Sequence, residues 1–192
     1  RLAAQVTRGV VLTLDDPCVA RAQDGLRPGV ERRWCGVDAS IAHRLPEVLE
    51  QDVRFTDDYV APVAGDDDGT LAPVDDRALR INFGADPASG VGPFTLKQRG
   101  LAAMINATAA TTMARMLLGP DFDPAVTARA LAAVSPPFGR GEVVQVGGMP
   151  LELVLVKHPA GFTVALSTYG SSPVATMIAI NDNDADGRDV SW

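Results

Sequence analysis

The chain has 192 residues, 46% of them hydrophobic and 21% charged, with a formal net charge of −7. That length suits one large domain or two small ones with a sizeable core. The acidic balance excludes nonspecific binding to a phosphate backbone, which needs clustered Lys and Arg, so no nucleic-acid partner is expected. Aromatics are scarce at 5%, which predicts aliphatic cores. Cys18 and Cys35 are the only cysteines. With no signal peptide at the start, a disulfide framework is not expected and a reducing cytoplasm is. Together with His43 and His158 the cysteines are too scattered for a zinc site, and no metal ligands are assigned. The chain enters a strand at once and stops directly after a polar cluster, so it reads as a piece of a longer protein.

Residues 6–14, VTRGVVLTL, form a β-branched and aliphatic run closed by Asp15-Asp16-Pro17. This predicts a buried, parallel strand. A short helix and a second strand over residues 31–37 should follow. Residues 38–86 carry Pro46, Pro62, Pro73 and the acidic turn Gly65-Asp66-Asp67-Asp68-Gly69, a composition that predicts short antiparallel strands and exposed loop. Residues 101–118, LAAMINATAATTMARMLL, predict a long helix ended by Gly119-Pro120. It is the stretch most like a membrane span, but its Asn, its several Thr and Arg115 suit a buried globular helix better than lipid. A second helix should start with Asp123 as cap and Pro124 at the first position, and stop before Ser135-Pro136-Pro137.

Two strands, residues 141–146 and 151–156, are expected to meet at the hairpin turn Gly147-Gly148. Residues 159–169 read as a helix and residues 174–180, VATMIAI, as another buried strand. Strand, helix, strand in that order implies a right-handed crossover in a mostly parallel sheet. The fold class is therefore α/β, with Gly139 and its neighbours as the domain boundary.

The terminal polar cluster raises its own question. Asp182, Asp184 and Asp186 alternate and are followed by Gly187, as in a calcium-binding helix-loop-helix. That loop also needs a Glu at its twelfth position and an entering helix, whereas here a strand is expected to enter and the twelfth position would be residue 193. A polar cluster at the carboxyl end of a strand is instead a site hypothesis for an open α/β sheet, with a solvated turn as its rival.

Three stretches in order, FGRGE (138–142), LVKHPAGF (155–162) and the terminal AINDNDADGRDVSW (179–192), resemble the MurT subunits of lipid II isoglutaminyl synthases, relatives of the Mur ligases. VVLTLDDP resembles that family's strand ending in Asn-Ala-Asp-Asp-Pro, and GLAAMINATAAT its nucleotide-side helix. The resemblance implies that residues 1–138 are the C-terminal part of a Mur ligase central, ATP-binding domain. Residues 139–192 would then be the truncated start of a Rossmann-like C-terminal domain. It further implies ATP and Mg²⁺ as cofactors, lipid II at the membrane surface as substrate, and a GatD-type glutaminase as partner subunit. ATP would phosphorylate the α-carboxylate of D-glutamate, and ammonia from glutamine would displace the phosphate to leave D-isoglutamine.

By the same resemblance Asn106 faces adenine, since an amide can read the ring's paired donor and acceptor; the competing reading is an Asn bonding within its own helix. Arg140 packs on the nucleotide, where a planar cation can stack and also contact ribose or phosphate; a surface ion pair is the alternative. Lys157 and His158 reach the terminal phosphates, unless His158 only caps the next helix. Asp189, in GRDVSW, completes the partner's Cys-His pair as its third member, orienting the imidazole across the subunit interface; the three preceding aspartates shape its loop and Trp192 anchors it.

Several departures matter. The family's phosphate-gripping Gly-Thr-Asn-Gly-Lys-Thr-Thr is absent, so this stretch alone should not turn over ATP. The family's four-cysteine zinc ribbon is missing from the region of residues 38–86, Thr13 and Leu14 replace Asn and Ala, and Ala103 replaces an Asn. Another Mur-type amino acid ligase, or a non-catalytic partner-binding module, remain the alternatives.

Overall fold

The computed structural model describes residues 2–44, 60–84, 86–156, 159–169 and 175–179. Its first strand, β1 (Gly9–Thr13), is followed by a one-turn helix, α1 (Pro17–Arg21), whose start is set by Asp16. That side chain accepts from the backbone N–H groups of Cys18 and Val19 at 2.8 and 3.0 Å, satisfying two donors that have no partner inside a helix. The chain returns as β2 (Glu31–Val37), parallel to β1.

Three strands complete the sheet: β3 (Gly69–Pro73), β4 (Ala78–Phe83) and β5 (Val91–Thr95). The order is β1-β2-β3-β4-β5, with β3 parallel to β2 and the last two pairings antiparallel. The sheet is thus half parallel, and the short antiparallel strands expected within residues 38–86 are present as β3 and β4. Residues 74–77, which join β3 to β4, are far too few for the crossover that a parallel pair requires.

Helix α2 (Leu101–Leu118) crosses the sheet, and α3 (Pro124–Ala133) follows with Asp123 as its cap. The core lies between α2 and the sheet: Leu71, Leu79, Ile81 and Val91 are fully enclosed and Phe83 nearly so. Each such side chain contributes about 1.5–3 kcal/mol relative to exposure. The α2 face over this core carries Thr108, Thr111 and Thr112, whose hydroxyls donate to the carbonyls of Met104, Ala107 and Thr108. Their polarity is absorbed within the helix, so the threonines pack as small apolar bodies. α2 is long and apolar enough by composition to span a membrane, but its buried residues face β1, β2 and β3. It is the core helix of this sheet.

At the far end of α2, Arg115 lies over the rings of Phe83 and Phe122, 4.5 and 5.9 Å from their centroids, and meets Asp67 at 3.2 Å. The acidic turn before β3 is not wholly exposed as its composition suggested. Asp68 is buried, accepting from Trp34 N–H at 2.6 Å and Gly65 N–H at 2.8 Å, and so ties the turn to β2.

A separate hairpin, β6 (Arg140–Val146) with β7 (Met149–Val154), turns at Gly147 and Gly148. Both glycines have positive φ, +59° and +83°, as a two-residue turn matched to strand twist demands. Helix α4 (Pro159–Tyr169) follows. The buried strand expected over residues 174–180 is not found: Ala175–Ala179 form no regular element and are exposed, Met177 by 84% and Ile178 by 56%. An apolar run becomes a strand only when a neighbour completes its ladder of hydrogen bonds, and none of the described strands pairs with it.

Candidate functional site

The sequence points to the N-terminal end of α2, and the structure brings several chain segments together there. The loop of residues 96–100 enters α2. Leu96 N–H donates to Arg77 O and Gly100 N–H to Asp76 O, at 3.0 and 2.8 Å, which fixes the loop on the β3–β4 turn. On its other side the loop meets the residues that follow α3. A Cβ at Gly141 would lie 3.5 Å from Gln98 Cγ, and one at Gly100 would lie 2.6 Å from Thr168 Oγ1. The first residues of β6 and the last turn of α4 therefore both border the start of α2.

Asn106 stands in the second turn of α2, about 7.5 Å along the axis from Leu101. It is exposed, in a stripe with Ala102 and Ala110 on the side away from the sheet. Unlike the three threonines below it, its side chain makes no hydrogen bond among the described residues. The intrahelical role that an Asn can adopt is not taken, and both edges of the amide stay available. Arg140 begins β6. Its backbone N–H closes a turn on Pro137 O at 3.0 Å, while its side chain is exposed and forms no ion pair among the described residues. Neighbouring Gly139 is buried and accepts from Leu155 N–H at 2.7 Å, pinning the open end of the hairpin. Among the described residues, then, neither the Asn106 amide in α2 nor the Arg140 guanidinium at the start of β6 has a partner.

Lys157, His158 and Asp189 lie outside the described residues, as do Asp182, Asp184, Asp186 and Trp192. Among the described residues no group of three His, Cys, Asp or Glu could hold a metal ion.

Sequence reasoning passed over the carboxylates at the end of β1. Asp15 Oδ2 accepts from Val37 N–H at 2.8 Å, joining the carboxyl ends of β1 and β2. Burial pushes its carboxyl above the ordinary range, and the Val37 N–H partly offsets this. The buried Cys35 thiol is pushed up to about 11, chiefly by desolvation, with Asp15 and Asp68 adding to the rise against the Thr13 hydroxyl. Asp38, past the end of β2, is held below the usual range by the hydroxyl and N–H of Ser40. The sequence signal was present in Asp15-Asp16, but nothing in it separates a helix cap from a strand tie.

The fold defines a class: a mixed α/β unit with a half-parallel sheet, shaped like part of a pseudomurein peptide ligase. It superposes on a pseudomurein peptide ligase type C from Methanothermus fervidus with a TM-score of 0.59, over 86% of this chain and 35% of that one, at 16% identity, which shows likeness of fold. The sequence is more particular. Residues 155–192 match the family described as MurT ligase C-terminal. Over 95 residues the chain is 34% identical to the MurT subunit of the glutamine-hydrolysing lipid II isoglutaminyl synthase of Streptococcus pneumoniae. That match takes in 48% of this chain and 21% of the relative, so about a fifth of the relative's length is represented. The chain is MurT-like.

Proposed function

We propose that this chain is the nucleotide-facing part of a Mur-type ligase subunit in peptidoglycan synthesis, acting in the cytoplasm on lipid II at the membrane surface. The observation that carries the reading is the match of residues 155–192 to the MurT C-terminal family, because that segment contains GRDVSW. The fold likeness to a peptide ligase supports it independently of sequence.

In this reading the ligase amidates the α-carboxylate of D-glutamate in the stem peptide. A carboxylate is a poor electrophile, and phosphorylation supplies the leaving group that ammonia then displaces. ATP supplies that phosphoryl group when bound. Asn106 and Arg140 fit a nucleotide in their chemistry: the unengaged amide can pair with adenine's donor and acceptor, and the unpaired guanidinium can stack on the base or reach ribose. Lys157 and His158 are assigned to the terminal phosphates. Among the described residues no cluster of His, Cys, Asp or Glu suits Mg²⁺. A GatD-type glutaminase supplies ammonia, with Asp189 orienting the imidazole of its Cys-His pair.

The test uses the full-length subunit with its glutaminase. Asp189→Asn should cut glutamine hydrolysis by orders of magnitude while leaving ATP binding intact, since removing the orienting acid of such a triad costs about 10⁴ in kcat. Asn106→Ala and Arg140→Ala should each raise the KM for ATP without touching glutaminase activity. Unchanged glutaminase turnover in Asp189→Asn would sink the role given to that residue.

A further inference from the structure

The loop of residues 96–100 borders the end of α3, the start of β6 and the last turn of α4, and one side chain in it has no role in the sheet. Lys97 Nζ donates to Ala133 O at 2.9 Å and to Ser135 Oγ at 3.3 Å. Ala133 is the last residue of α3, whose final carbonyls have no partner within the helix; an ammonium there satisfies one and complements the negative end of the helix dipole. The backbone of Lys97 is itself anchored, its carbonyl accepting from Arg77 Nη1 at 2.8 Å. Beyond the contact runs Ser135-Pro136-Pro137-Phe138-Gly139. Two prolines stiffen it, and the turn from Pro137 O to Arg140 N–H closes it. Little slack separates the atom that Lys97 holds from the backbone of Arg140.

We propose that Lys97 is a positioning residue: by latching the end of α3 and the proline linker to the sheet, it sets where Arg140 and the β6–β7 hairpin stand relative to Asn106. The latch stands on the geometry alone; its consequence for ATP rests on the nucleotide reading above.

The experiment uses the full-length chain carrying Cys18→Ser, with spin labels at Ala110→Cys on α2 and Gln145→Cys on β6. Pulsed electron resonance then reads the distance between them. Lys97→Met removes the charge and donors while keeping most of the stem, and should broaden the distribution. Lys97→Arg restores a donor of similar reach and should keep it narrow. A Lys97→Met distribution that superposes on that of the parent overturns the proposal, whatever ATP does. Titration of the same variants with ATP adds the second arm, where Lys97→Met should weaken binding by about threefold or more, the order expected for one exposed charge-assisted contact. If the distribution broadens while both Lys97→Met and Arg140→Ala bind ATP like the parent, the latch holds and the nucleotide reading falls.

Discussion

The sheet with α2 and the β6–β7 hairpin are built from equally apolar sequence, yet they use it in opposite ways. Every described hydrophobic side chain that is fully buried lies between Leu12 and Ala107. In the hairpin, Val143, Val146, Met149, Leu151 and Val154 are 41–72% exposed. In the first region α2 packs on β1 to β4 and α3 on β5, and alternation converts directly into burial. In the second, the two strands pair only with each other among the described residues, and such a hairpin is held by its backbone ladder and its turn. An apolar residue stabilises only where a second layer meets it.

Substitutions at matched positions sharpen that contrast. Leu71→Ala removes a fully buried side chain and should cost about 2–5 kcal/mol by denaturant unfolding, whereas Leu151→Ala, 41% exposed, should cost about 0.5 kcal/mol. Equal losses would break the comparison.

Gly69→Ala probes how tightly the layers meet. A Cβ there would fall 2.1 Å from Thr112 Oγ1, and Thr112 is fully enclosed. The expected cost is about 1–3 kcal/mol, and pairing it with Thr112→Ala should recover much of this, since the two sites share one contact. A purely additive double variant would disprove the clash.

A smaller effect depends on pH. Burial raises Asp15 in the folded state above the 3.8 of an ordinary aspartate, so the folded protein holds that proton more tightly than the unfolded chain. Stability from this site is complete below 3.8 and is lost as pH rises through the folded value. Asp15→Asn keeps an acceptor for Val37 N–H without the charge. It should match the parent below about pH 3.8 and exceed it in stability at neutral pH. A gap that widens on acidification would contradict this. Finally, a thiol reagent at neutral pH should titrate the exposed Cys18 alone, and Cys35 only after unfolding, because Cys35 is buried with its thiol pushed up to about 11.

Much of the secondary structure was legible from residue order. The end of α2 follows from Gly119-Pro120, the limits of α3 from Asp123-Pro124 and Ser135-Pro136, and the hairpin turn from Gly147-Gly148. These are signals of short range, carried by side chains that cap or break a helix next to themselves. The strand β5 was not anticipated, because PFT within GVGPFTLK shows neither clean alternation nor a long apolar run. Of the candidate site, Asn106 and Arg140 are described, exposed and unengaged, while Lys157, His158 and Asp189 rest on the resemblance and the family match alone.

What residue order determined here is local: where helices begin and end, which runs are apolar, and which motifs are MurT-like. Only the tertiary structure decided that β3 pairs with β2, that Asp68 is buried and Met177 exposed, and that Lys97 reaches the end of α3. Those outcomes depend on partners tens of residues away, because a side chain is buried, or a backbone ladder completed, by whatever the rest of the chain brings against it.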